Sequence, residues 1–338
     1  MPPSREPSTH PIRAKAARAT AARATALLDS GGGRRLDRLG SIVVDRPQPG
    51  ASGDRLDPQR WELVDARFDR GDRFERGERG ERGDRGDRGD RGLLRHSGWT
   101  TRDGVPIEAW TIDEGDLRVE LRLAPAGGVG WFPEQADDRR WIRETTARLV
   151  ARAAKDDPPP TVLDLFAHTG GGTLAAALGG ASVTHVDAAR SAVAWARRNA
   201  ELSGLAERPI RWIADDAASF VRRERRRGRR YGGIVLDPPT YGHGPDGRPW
   251  RLDRDLPALL RDCVALLLPG PGSFVVLTAH ADGLDAPRLR AILLAALDAA
   301  AGGPTGRDEL TATEIVAVAE SGARLGLGST VRWRRAGR

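Results

Sequence analysis

From Trp141 onward, short apolar runs alternate with longer stretches in which apolar residues recur every three or four positions. The runs "VLDLF", "SVTHVD", "IRWIAD", "GGIVLDP" and "SFVVLTAH" have the length and β-branched content of buried strands. The helical stretches are "SAVAWARRNAELSG", "AASFVRRERRR", "LPALLRDCVALLL" and "APRLRAILLAALDAAA", preceded by a helix around 138–154. Alternation with such short connections predicts a parallel sheet covered by helices on both faces. "ATEIVAVAES" and "GSTVRWRR" predict two closing strands joined as a hairpin. The expected fold class is α/β: a doubly wound, seven-stranded, mostly parallel sheet over residues 128–338.

Ahead of it, "GSIVVDRP", "IEAWTI" and "LRVELRLAP" alternate like half-buried strands and predict a small β-rich region over 26–127. A period-three repeat interrupts this region at 70–92. Its eight arginines are nearly cancelled by seven acidic residues, so it reads as a solvated, flexible insertion. Residues 1–25 are arginine-rich and lack the apolar block of a secretory signal, which predicts a disordered basic tail.

Composition adjusts this picture only modestly. A net charge of +7 points toward an anionic partner such as nucleic acid. The 54 basic residues include only two lysines, however, and that skew looks like GC-rich codon usage. One cysteine excludes a disulfide framework and fits a reducing, cytoplasmic setting. No apolar run approaches the roughly 20 residues that span a bilayer, so no membrane association is expected. No His, Cys or acidic cluster has metal-ligand spacing, and no metal is expected.

In an open α/β sheet the ligand lies beyond the carboxyl ends of the strands. Four consecutive strands each end there in a carboxylate: Asp164, Asp187, the pair Asp215 and Asp216, and Asp237. The first strand also delivers the glycine turn "AHTGGG". A dinucleotide fingerprint needs a third glycine where this chain has Ala175. Asp164 would in addition repel a pyrophosphate. An acidic rim suits a ligand with an amino group and a cationic sulfur, as in S-adenosylmethionine. Tight NAD(H) binding would instead identify a dehydrogenase.

The segments "VLDLFAHTGGGT", "VTHVDAARSAVAWARRNAELSGL", "IADDAASF" and "YGGIVLDPPTYG" resemble successive motifs of class I S-adenosylmethionine-dependent methyltransferases. Within them they resemble the branch that includes bacterial large-subunit ribosomal RNA methyltransferases, over roughly residues 125–335. "GWFPEQADD" is similar to that branch's lid segment at Phe132 and Gln135, and departs from it at Pro133, Glu134 and Ala136. The resemblance implies a Rossmann-like methyltransferase fold and the following roles. Phe132 and Gln135 close over the methionine end of the cofactor, and Asp164, Thr169, Gly170 and Gly171 surround it. Asp187 accepts from the ribose hydroxyls. Asp216 and the Ala217 N–H meet the adenine, with Asp215 able to exchange places with Asp216. Asp237, Pro238 and Pro239 face the methyl acceptor, with RNA, in particular ribosomal RNA, as the substrate.

A D-P-P turn offers a carboxylate and a carbonyl that can orient a base amine. Thr240 stands where amine methyltransferases usually carry a stacking aromatic, with Tyr241 next. Carbon-5 methylation of cytosine needs a thiolate after strand five, where this chain has Ala279 and His280. The sole thiol, Cys263, lies in an apolar helix and reads as a core residue. Nitrogen is therefore preferred as the acceptor. His168 reads either as a cofactor contact or as a structural histidine, and His243 and His280 as candidates to face substrate. Seven arginines between Arg222 and Arg230 form either a phosphate contact or a solvated face. Trp131 and Trp250 read as core residues that could otherwise stack on a base. Alternative functions are methylation of a protein or small molecule, or non-catalytic RNA binding.

Overall fold

The computed structural model describes residues 24–69, 98–154, 158–243, 249–300 and 303–337. The basic tail up to residue 23 and the repeat at 70–92 lie outside these residues, as does the side chain of His243. The described residues begin with a five-stranded sheet, β1 (Thr25–Gly31), β2 (Arg34–Leu39), β3 (Ile42–Pro47), β4 (Ala66–Phe68) and β5 (Trp99–Thr101). A hairpin follows, β6 (Trp110–Glu114) and β7 (Leu117–Leu121). A short 3-10 turn at Pro133–Gln135 then leads into α1 (Ala136–Val150).

The second half is the expected alternation. Its elements are β8 (Thr161–Leu165), α2 (Gly171–Leu178), β9 (Ser182–Asp187), α3 (Arg190–Leu202), β10 (Ile210–Ala214) and α4 (Ala217–Arg226). They continue with β11 (Gly233–Leu236), a small hairpin of β12 (Tyr241–His243) and β13 (Pro249–Arg251), and α5 (Leu252–Val264). Last come β14 (Phe274–Ala279), α6 (Ala286–Asp298), β15 (Glu309–Val318) and β16 (Arg324–Arg334). The sheet order is β10-β9-β8-β11-β14-β16-β15, with β16 antiparallel to both β14 and β15. The strands β11 and β14 are buried along their whole length, as the helices on both faces require.

The first two strands depart from the alternating rule. Arg35 and Asp37 of β2 are buried and paired at 2.8 Å, and Arg46 of β3 adds a second ion pair to Asp37 at 2.7 Å. Asp29 of β1 is fully buried and accepts from Trp61 Nε1 at 2.8 Å and Ser321 Oγ at 2.7 Å. Ser321 lies in the β15–β16 turn, and β1 also bonds there through the Leu27 carbonyl and the Glu320 N–H. The small sheet thus docks on the far end of the chain. The hairpin β6–β7 docks on α3: Asn199 Oδ1 accepts from the Glu120 N–H at 2.8 Å, and Trp195 Nε1 donates to the Glu120 carbonyl at 2.9 Å.

Candidate active site

Strand register assembles the site. Leu165 of β8 pairs with Val186 of β9 and with Leu236 of β11. The next residue on each strand, Phe166, Asp187 and Asp237, therefore emerges at the same carboxyl edge. A cleft of about 430 Å³ opens there. Of the residues singled out from sequence, Phe132, Asp187, Asp216, Ala217, Asp237, Pro238 and Pro239 line it. A narrow extension of about 50 Å³ shares Phe132, His168 and Asp237 with it and is lined further by Gln135, Asp164, Thr169 and Gly171. A larger cavity of about 970 Å³ lies between β1 and β15 and contains none of the strand-end carboxylates.

The loop after β8 is strained. Phe166 (φ +55°) and His168 (φ +46°) are the two non-glycine residues with positive φ among those described, and both line the cleft. Side chains in this region cost about 1–2 kcal/mol each. The conformation is held by the His168 N–H, which donates to Asp187 Oδ2 at 2.8 Å, and by Asn199, which donates to the Thr169 carbonyl at 3.0 Å. His168 Nδ1 is left buried with no partner. Burial pushes its imidazole below the ordinary value, so the ring that lines the cleft is held neutral.

The strand-end carboxylates divide by what they already bond. Asp187 Oδ1 accepts from the Ala189 N–H at 2.8 Å. Asp216 caps α4 through the Ser219 N–H at 2.8 Å, leaving one oxygen for the cleft. Asp215, held open as an exchange partner for Asp216, does not line the cleft; its carboxylate takes the Arg223 guanidinium and the Asp216 N–H. Asp164 is buried and accepts from Thr173 Oγ1 at 2.6 Å; burial pushes its carboxyl up to about 7. Asp237 Oδ2 accepts from Gln135 Nε2 at 2.7 Å, and Oδ1 lies 3.3 Å from His280 Nε2.

Thr169 and Gly170 are used structurally. The Thr169 hydroxyl donates to the Gly130 carbonyl and is nearly inaccessible. Gly170, at φ +93°, caps α2, and a Cβ there would press on Ala196 at 3.1 Å.

Several neighbours of the cleft carried no clear signal in the sequence. Arg139 of α1 is buried over the Trp131 ring at 4.3 Å, donates to the Phe132 carbonyl at 2.9 Å and pairs with Glu114 at 2.5 Å. Glu134 in the Pro133–Gln135 turn pairs with the buried Arg35 at 3.3 Å. Phe166 and Trp250 pack with ring centroids 5.7 Å apart on the cleft wall, and Trp250 Nε1 donates to the Pro239 carbonyl at 2.7 Å. Trp131 is core, bonded to Glu114 at 2.9 Å. The arginine run is largely engaged internally: Arg223 with Asp215, Arg225 with Asp262, and Arg227 with Glu224 at 3.0 Å. Cys263 is fully buried, and its thiol is pushed far up by burial and by Asp262.

The cleft and its extension fit an elongated ligand with a nucleoside at one end and an amino acid at the other. Acidic groups line both spaces, and His168 is among the residues they share. No helix among the described residues is long and apolar enough to cross a membrane, and no acidic, His or Cys group there could hold a metal.

Comparison with known proteins agrees with this geometry. In curated sequences, 161 residues are 39% identical to ribosomal RNA large subunit methyltransferase K/L of Methylococcus capsulatus, covering 47% of this chain and 20% of that protein. A further 153 residues' match is 31% identical to ribosomal RNA large subunit methyltransferase I of Aeromonas salmonicida, covering 44% of this chain and 36% of that protein. The chain thus spans only about a fifth to a third of these relatives. A solved S-adenosylmethionine-dependent methyltransferase from Agrobacterium tumefaciens superposes with a TM-score of 0.74 at 30% identity, over 93% of this chain and 91% of its own. A Streptococcus mutans structure at 16% identity and a TM-score of 0.63 shares the fold. The family profile for S-adenosylmethionine-dependent methyltransferases matches residues 94–289, more than half of the chain, which therefore belongs to that family.

Proposed function

We propose that the chain methylates a nitrogen of a base in ribosomal RNA. The observation that carries this reading is the Asp237-Pro238-Pro239 turn, whose carboxylate is fixed by Gln135 and His280 in the wall of the cleft. The fully buried Cys263, which does not line the cleft, argues against the covalent carbon-5 route. The names of the curated relatives support ribosomal RNA as the substrate class.

S-adenosylmethionine, when bound, supplies a methyl group on cationic sulfur, and the transfer is an in-line displacement. The residues here bind, align and exclude water. Asp187 would accept from the ribose hydroxyls, and Asp216 with the Ala217 N–H would meet the adenine. Phe132, Gln135, Asp164, Thr169, Gly170 and Gly171 would enclose the methionine end, the N–H groups at the start of α2 facing its carboxylate. Asp237 and the Pro238 carbonyl would orient the acceptor nitrogen, and Trp250 offers an aromatic wall beside it.

Mass-spectrometric mapping of RNA modifications in wild-type and knockout cells tests this. We expect one N-methylated base to vanish and to return when purified protein is added to the knockout RNA. Loss of a carbon-5 methyl mark, or no change in any RNA, would overturn the assignment.

Asp164 makes a second outcome measurable. Its carboxyl titrates at about 7 when folded and near 3.8 when unfolded, so the native chain holds the extra proton and loses stability as pH rises from about 4 to 7. The cofactor's ammonium group favours the ionised form. Cofactor binding at pH 6–7 should therefore release a proton, read by calorimetry as a heat that depends on the buffer's ionisation enthalpy. The Asp164→Asn chain should lose that dependence; a buffer-independent heat in the wild type would disprove the linkage.

A further inference from the structure

His280 stands at the end of β14, between acceptors on both of its nitrogens. Nδ1 lies 2.5 Å from the Leu327 carbonyl of β16, and Nε2 lies 3.3 Å from Asp237 Oδ1. A carbonyl and a carboxylate only accept, and a neutral imidazole has a single N–H to donate. The geometry is satisfied on both sides by the doubly protonated ring. Gln135 Nε2 carries two N–H groups and also lies 3.4 Å from His280 Nε2; one goes to Asp237 Oδ2 at 2.7 Å, and a ring accepting the other at Nε2 would turn that lone pair toward the Asp237 Oδ1 oxygen at 3.3 Å. Thr240 Oγ1 donates to the His280 carbonyl at 3.1 Å, tying the histidine to the residue that ends the D-P-P-T turn.

We infer that His280 is a positioning residue for the methyl acceptor: as an imidazolium it fixes the Asp237 carboxylate against Gln135 in the cleft wall. The role rests on the methyl-transfer reading above. It follows from two facts about the site. Both oxygens of Asp237 are claimed by donors from outside the D-P-P turn, so the carboxylate presents its remaining lone pairs to the cleft in one orientation. The pair is also close to neutral, which lightens a rim crowded with acid.

The charged neighbours are consistent with a retained proton. Burial works against the cation, but Asp237, the Leu327 carbonyl and Glu134 outweigh it and raise the imidazole to about 9. Asp237 in turn faces Asp164, Asp138 and His168. Because the folded value lies above the ordinary 6.5, the stabilisation is full below about 6.5 and is lost as pH rises through about 9.

An NMR titration of the full chain with 15N-labelled histidine tests the pair directly. His280 is expected to titrate near 9, and Asp237→Asn should bring it down toward or below its ordinary value. A wild-type value under 7, or no response to Asp237→Asn, would refute the pairing. Kinetics test the role. In His280→Ala, kcat for RNA methylation should fall about 10–100-fold while affinity for S-adenosylhomocysteine stays within about twofold. His280→Gln, which keeps a neutral donor, should recover part of kcat and lose the wild-type decline above pH ~9. An unchanged kcat in His280→Ala, or an alkaline limb that persists in His280→Gln, would overturn the positioning role. If the wild type methylates no RNA, the reading under Proposed function falls, and the titration still decides the pair.

Discussion

Asp237→Asn is expected to lower kcat for methyl transfer by about a hundredfold or more, with cofactor affinity nearly unchanged. The substitution keeps the size of the side chain and replaces one acceptor oxygen with an NH2 donor. On one side that donor meets another, Gln135 Nε2 at 2.7 Å; on the other it faces His280 Nε2 at 3.3 Å, which can accept it only once the imidazolium has lost a proton. Opposed donors on the first side, or loss of the charged contact on the second, cost about 1–3 kcal/mol and release the carboxyl position from its fixed orientation toward the acceptor. Asp187, Asp216 and Ala217, proposed to hold the nucleoside end of the cofactor, make none of these contacts, and binding there should be little changed. Single-turnover transfer of a labelled methyl group, with calorimetry on S-adenosylhomocysteine, separates the two effects. Retention of more than a tenth of kcat would remove Asp237 from the acceptor machinery.

Gly130→Ala should cost about 2–5 kcal/mol of stability, summing left-handed strain of about 1–2 with overpacking of about 1–3. Gly130 sits at φ +85°, where a side chain is strained in any surroundings. A Cβ there would also land 2.2 Å from the Trp195 ring. That ring has little room to retreat, since Nε1 is bonded to the Glu120 carbonyl at 2.9 Å and Arg122 covers its face at 4.8 Å. The Gly130 carbonyl additionally receives the Thr169 hydroxyl, so a shift of this segment would disturb the loop after β8. Urea denaturation measures the loss. A change below about 1 kcal/mol would mean that the indole swings aside and that the segment is less confined than its contacts imply.

The parallel sheet was legible because its strands obey simple rules: apolar runs of the right length, the first four ending in Asp, alternating with helical stretches. The closing hairpin was legible for the same reason. Strands β1 and β2 escaped because "LLDSGGGRRLDRL" places Asp29, Arg35 and Asp37 inside the protein, where period-two reading expects apolar residues. Their charges are paired internally, and pairing across strands has no local signature in sequence. The same limit applied at the site. The D-P-P turn and the glycine loop could be located from motif spacing, and so could most of the cleft lining. What each carboxylate bonds could not: Asp215 turns to Arg223, and Asp216 remains in the cleft because it caps α4. His280 was recognisable only as a histidine beyond strand five. Its bridge from Asp237 to Leu327 joins residues 90 positions apart, a distance no motif spans.

The turn at Pro133–Gln135 has its footings in remote parts of the chain. Glu134 is anchored by Arg35 of the small sheet, and just beyond it Asp138 is bonded by Thr330 at 3.0 Å and Arg332 at 2.6 Å on the last strand. Such a buried ion pair, once one partner is removed, leaves a penalty of about 3–5 kcal/mol on the other. A fragment cut at residue 128 would keep every motif of the methyltransferase and still inherit Glu134 stripped of its guanidinium. The two halves of this protein are thus poor candidates for recombination with those of a relative, unless Arg35 and Glu134 are exchanged as one unit.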